Sequence, residues 1–218
     1  MKKLYLFCIP RFLEMAFFIL VDTMGAYGQS GKSQTDVLRF YQAEVERLLL
    51  PVNTPETKTS LIAAYLVHPM AEADFSVCLK DSARRYFLEL RLLDQNLWRE
   101  VLTGFMQKKR LQVSSLQATV SSISVSKRFK KKMVNAFDRV SPVRKHPLPA
   151  GLIEFYDATT YEFRWVVKRE PKQKRINFAI RNDSYESGLI KLLDRMAADL
   201  KNSNFKEEGF FGQLKCFR

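Results

Sequence analysis

The sequence predicts an α+β domain built on a mostly antiparallel sheet of about six strands, with helices packed on one face. Three observations lead there. Two segments alternate with period two: Tyr86, Leu88, Leu90 and Leu92 against Glu89 and Arg91, and Tyr161, Phe163, Trp165 and Val167 against Glu162, Arg164 and Val166. Four other segments repeat apolar residues at helical spacing. Strand and helix signals also come in hairpin-sized groups, which suits an antiparallel sheet with one wet face.

Taken in chain order, Gln34 to Leu50 reads as a helix with Val37, Leu38, Tyr41, Val45, Leu48 and Leu49 on one face, stopped by Pro51. Leu61 to Val67 is apolar throughout and fits a short helix or a strand equally. Phe75, Val77 and Leu79 mark a strand before a turn at Asp81-Ser82, and Arg85 to Leu93 is the strand paired with it. Asp94 is placed to cap a helix running to about Gln107. Leu116 to Val125 is β-prone, and its apolar phase shifts between Val120 and Ile123, the signature of a bulge. A helix over 126–140 follows, with Phe129, Met133, Phe137 and Val140 inward. Strands at 152–155, 161–167 and 176–180 make a meander. The last helix starts at Asp183, with Glu186 as its capping-box partner. A polar then aromatic tail ends the chain, holding Phe205, Phe210, Phe211 and Phe217.

At 218 residues, 46% hydrophobic and 27% charged, the chain has the balance of one globular domain rather than a disordered segment. Residues 1–28 are set apart. Lys2 and Lys3 precede an apolar stretch, clearest from Met15 to Val21, and small residues Ala26 and Gly28 flank Tyr27 before Gln29. That is a secretory signal pattern. The expectation is a leader over 1–28, a single domain over 29–218, and a periplasmic or secreted location after cleavage near Gly28. The apolar run is too short to span a bilayer, and no transmembrane segment is expected in the mature chain.

The same region supports a rival reading. Ala26 to Ser33 ends in Gly31-Lys32-Ser33, the close of a phosphate-binding loop, in which backbone amides wrap phosphates, Lys32 neutralises charge and Ser33 holds a metal. Ala26 stands where the loop needs its first glycine. Downstream, the nearest match to a buried strand ending in a metal-holding carboxylate, Phe87 to Asp94, is broken by Glu89 and Arg91. A nucleotide-binding protein is therefore the alternative, and no cofactor is expected.

The formal net charge is +13. It is not spread evenly: residues 108–175 hold seventeen Lys/Arg against five Asp/Glu. The plain interpretation is solvated turns and the outer side of a helix. The functional one is an anion-binding face made from Lys127, Arg128, Lys130 and Lys131 on the helix, joined by Lys168, Arg169, Lys172 and Lys174 of the Pro171 hairpin. In an exported protein the fitting partners are anionic polysaccharide, lipid headgroups or another protein, whereas nucleic acid is disfavoured. Trp165, Tyr161 and Phe163 share one strand face and read as core rather than as a stacking platform.

Catalytic signatures are missing from the sequence. It has neither a Gly-x-Ser-x-Gly elbow nor a His-Glu-x-x-His helix, and Cys8, Cys78 and Cys216 have no Cys-x-x-Cys spacing. With only His68 and His146, far apart, no metal site is expected. Cys78 with His68 or His146 is the nearest approach to a nucleophile and base. Glu154, Asp157 and Glu162 are the nearest carboxylate cluster for a hydrolase, the second alternative. Export would permit one disulfide, Cys78 with Cys216. The sequence favours a non-catalytic binding protein.

Overall fold

A computed structural model describes residues 34–51, 59–69, 72–107, 116–140, 159–166, 173–178 and 185–217. The helices are α1 (Gln34–Leu49), α2 (Leu97–Met106), α3 (Lys127–Asp138), α4 (Tyr185–Lys201) and α5 (Glu208–Cys216). The strands are β1 (Thr59–His68), β2 (Phe75–Ser82), β3 (Arg85–Leu93), β4 (Ala118–Val125), β5 (Thr160–Val166) and β6 (Gln173–Phe178). The fold is α+β. Residues 38–218 form one compact unit.

The sheet runs β4-β3-β2-β1-β5-β6, and each neighbouring pair is antiparallel. Strands β1 to β4 make a meander interrupted by α2. The chain then crosses through α3 from the outer strand back to β5, which pairs with β1. The apolar segment left open between helix and strand is β1, the strand between β2 and β5. It shows no alternation because Ala63 to Val67 are all buried, so both of its faces are covered. The strand expected at 152–155 lies outside the described residues.

Cross-strand partners share a face, so the register sorts the side chains. One face carries the rows Trp165–Ala63–Leu79–Leu88 and Phe163–Tyr65–Val77–Leu90. It packs against Phe129, Met133 and Phe137 of α3, Leu189, Leu193 and Met196 of α4, and Phe210 and Leu214 of α5. The aromatic tail is therefore structure rather than a loose end. Phe210 stacks on Phe205, and Phe205 meets Phe129 edge-on. The turn from α4 into this tail is a Schellman motif with Ser203 at positive φ, where glycine is usual.

The expectation of helices on one face is met by α3, α4 and α5, and the structure adds a helix at the other. The last turn of α1 lies there: the Leu49 carbonyl accepts from Ser76 Oγ, and Arg91 Nη1 reaches the Leu48 carbonyl at 3.5 Å. The end of β1 and the start of α2 are tied to the same side. Asp74 Oδ2 accepts from the Leu97 amide at 2.8 Å, and Asn96, not Asp94, caps α2 by accepting from the Arg99 amide. The Asn96 side chain also donates to the carbonyls of Pro69 and Glu72, both at 2.7 Å, a geometry that Asp94 two residues earlier does not reach.

The bulge expected in β4 is not there. Its register with β3 runs unbroken from Ala118 to Val125, and the sheet's irregularity lies in β1 between Leu61 and Ala63. The apolar phase of β4 shifts because Val120 and Ile123 point to opposite faces of an outer strand and both stay exposed, at 50% and 37%.

Candidate functional site

Ser126 opens α3: its side chain accepts from the Phe129 amide at 3.0 Å. Buried Phe129, Met133, Ala136 and Phe137 then hold one side of the helix to the sheet. Helical spacing sets Lys127 and Lys131 on the opposite crest, with Arg128 beside them, and all three are exposed. Lys130 and Lys132 sit lower, one on each flank. Lys130 Nζ lies 5.2 Å from the centre of the Tyr86 ring, and Lys132 Nζ and the Arg128 guanidinium approach the Phe211 ring at 5.7 and 4.9 Å. Lys130 thus lies over the seam between α3 and β3, Arg128 and Lys132 over the one between α3 and α5, and their charges rest against ring faces.

This concentration works against the helix. Five cations fall within residues 127–132, at the positive end of the macrodipole, and α3 has no acidic residue in its first turn. Lys127 with Lys131 and Arg128 with Lys132 are like-charge neighbours four residues apart, each costing about 0.2–0.5 kcal/mol. Glu207 brings a carboxylate to this end of the helix. It accepts from the Ser126 amide at 2.8 Å and from Ser126 Oγ, so the residue that begins α5 also covers the start of α3.

Next to that start is the β2–β3 hairpin. Its turn residues are Ala83 and Arg84, at φ 51° and 66°, the left-handed pair of a type I′ turn made here without glycine or asparagine. Asp81 steadies it by accepting from the Arg84 amide at 3.0 Å. Arg84 and Arg85 are thereby presented at the end of the sheet. An open cleft is lined by Asp81, Arg84, Arg85, Tyr86, Ser124, Val125 and Lys127. Sequence reasoning placed this turn at Asp81-Ser82 and missed both arginines as site residues. Their signal was the Arg84-Arg85 pair where the turn enters β3, which becomes part of a site only once β3 pairs with β4 ahead of α3.

Of the residues expected to bind anions, Lys127, Arg128, Lys130 and Lys131 are together on α3. Lys168, Arg169 and Lys172 lie outside the described residues. Lys174 is in β6, in register with Trp165. Gly31, Lys32 and Ser33, the alternative phosphate site, also lie outside.

The catalytic candidates fare differently. Cys78 is buried in the sheet, its Sγ 3.6 Å from the Leu49 carbonyl, and burial pushes its thiol pKa up to about 12. That is the opposite of an activated nucleophile. Cys216 is exposed on α5, and Cys78 and Cys216 are free thiols in this structure. Cys78 faces α1, on the far side of the sheet from the face that α5 helps to cover. His68 Nδ1 lies 2.9 Å from Asp74 Oδ1 and 3.1 Å from the Tyr41 hydroxyl. Both contacts use one ring nitrogen, so they tie α1 to the β1–β2 connection and do not form a relay across the imidazole. Glu162 is buried and ion-paired with Arg164, while Glu154 and Asp157 lie outside the described residues. Among the described residues, no three His, Cys, Asp or Glu side chains gather as a metal site.

No protein family, curated protein or solved structure matches the chain.

Proposed function

We propose that the protein is an exported, non-catalytic binding protein whose basic α3 crest receives an anionic ligand of the cell envelope or its surroundings. The observation that carries this is the placement of five cations at the start of α3, where helix dipole and mutual repulsion both oppose them. A fold that keeps such an arrangement is relieved when an anion docks, and broken local rules of this kind gather at functional sites. Arg84 and Arg85 extend the same positive surface around the cleft. Export is supported by the charged, apolar and small-residue order of residues 1–28. Among the described residues, no helix is long and apolar enough to cross a membrane.

The test is titration with dextran sulfate in one arm and phosphatidylglycerol vesicles in the other, each across a salt series. Binding that weakens steadily with salt is expected, and the arm that binds names the source of the anion. Replacing Lys127 and Lys131 together with Ala should weaken binding about fivefold, from roughly half a kcal/mol per exposed charge. Indifference to salt in both arms overturns the proposal. So does a protein recovered from its native cells with residues 1–28 intact and thermally stabilised by ATP, which would favour the nucleotide reading of Gly31, Lys32 and Ser33.

A further inference from the structure

The two edges of the sheet are built differently. At one, β6 has six residues and includes Lys174 and Arg175, the charged short strand with which proteins ordinarily guard an edge. At the other, β4 is Ala-Thr-Val-Ser-Ser-Ile-Ser-Val, eight residues without a charge or a proline. Its register with β3 is regular, so no bulge twists it away. Among the described residues, no strand pairs with its outer side. Val120 and Ile123 stay exposed there, one on each face.

The charge lies at the end of this edge. Ser124 and Val125, the last residues of β4, share the open cleft with Arg84, Arg85 and Lys127. Asp81, the acid in the cleft, is engaged by the hairpin's own backbone. A chain laid along β4 therefore meets an uncharged stretch of backbone donors and acceptors and then a cluster of cations.

We propose that β4 is a strand-addition site for an extended polypeptide with an acidic end, which pairs with the open edge and places its carboxylates against Arg84, Arg85 and Lys127. Main-chain hydrogen bonds hold the added strand, Val120 and Ile123 give alternate side chains an apolar surface on each face, and the cations set its direction. A second copy of this chain is the weaker occupant, because a molecule of net charge +13 repels itself at moderate salt. This inference rests on the anion-binding proposal only for the choice of an acidic partner, since an edge that no described strand covers is an independent observation.

The test uses the unmodified protein and three synthetic peptides. The first is ten residues of alternating Thr and Val followed by three Glu. The other two carry N-methyl groups on alternate residues, in the two opposite phases. Strand addition requires the first peptide to bind and the two methylated peptides to differ, one losing at least about tenfold in affinity and the other keeping most of it, because only one phase faces β4. Equal binding of all three overturns strand addition, and if dextran sulfate still binds, the anion-binding proposal stands without it. Failure of the first peptide to bind overturns this inference as well. Sedimentation showing a dimer that the peptide does not dissociate gives the edge to a second copy and removes the acidic partner. Replacing the three Glu with Gln should abolish the salt dependence of peptide binding, and an unchanged salt dependence removes the role given to Arg84, Arg85 and Lys127.

Discussion

The two faces of the sheet hold together by different means. Beneath α3, α4 and α5 the side chains are aromatic and aliphatic: Phe163 lies 5.2 Å from Tyr65 and 5.4 Å from Phe137, ring centre to ring centre. Beneath the end of α1 the alternate positions of the same strands carry ions. Glu89 accepts from Lys80 and Arg91, and Arg164 donates to Glu162 and Glu46. Glu89, Glu162 and Arg164 are as thoroughly buried as residues of the aromatic core, at 2%, 3% and 5% exposure. The first face buries mostly carbon, with the Tyr65 hydroxyl hydrogen-bonded to Asp194, and gains dispersion and dehydration. The second recovers by pairing what it gives up in desolvation, so its net contribution is small while the cost of breaking it is not.

That contrast makes ranked predictions. The largest effect belongs to Phe163→Ala, which empties the space between Tyr65 and Phe137 and should cost about 4 kcal/mol in urea unfolding. Next is Glu89→Gln, expected to cost about 2 kcal/mol, because the Lys80 and Arg91 side chains remain 19% and 17% exposed and recover part of their hydration. The comparison is sharpened by salt. The Glu89→Gln deficit should shrink as ionic strength rises, and the Phe163→Ala deficit should not. Equal deficits with equal salt response would mean that the two faces do not differ in kind.

The same contrast explains what the sequence revealed. Alternation in β3 and β5 was legible because one face of each strand is apolar, and it located the core face correctly. The charged positions, Glu89, Arg91, Glu162 and Arg164, read as a wet face, because a paired ion under a helix and an ion in water are spelled alike. β1 was ambiguous for the opposite reason: burial on both faces erases the period of two. α5 went unread because nine residues with Gly209 and Gly212 give too weak a helical signal, although Phe210 and Leu214 complete the core. The α3 crest was legible from Ser126 and its run of cations. The cleft was not, since Arg84 and Arg85 reach Lys127 only through the pairing of β3 with β4.

The smallest expected effect tests a carboxyl group set against the aromatic face itself. Tyr65 donates to Asp194 Oδ1 at 2.7 Å from within the core cluster. Burial holds the Asp194 carboxyl above its ordinary value of 3.8, and the hydrogen bond from Tyr65 only partly offsets it. Burial and the Asp194 charge also push the Tyr65 hydroxyl up, so it stays protonated and remains the donor. A raised carboxyl binds its proton more tightly in the folded than in the unfolded state. Its stabilising contribution is therefore full below the unfolded value and is lost as pH rises through the folded one. Asp194→Asn keeps an acceptor for Tyr65 and removes the ionisation. The variant's advantage in urea midpoint should be near zero below the ordinary carboxyl value, grow as pH rises from there, and level off once the raised folded value is passed. A difference that stays flat over that range would mean that the carboxylate is as well solvated in the fold as out of it, and that the aromatic face tolerates an ion as readily as the face beneath α1 does.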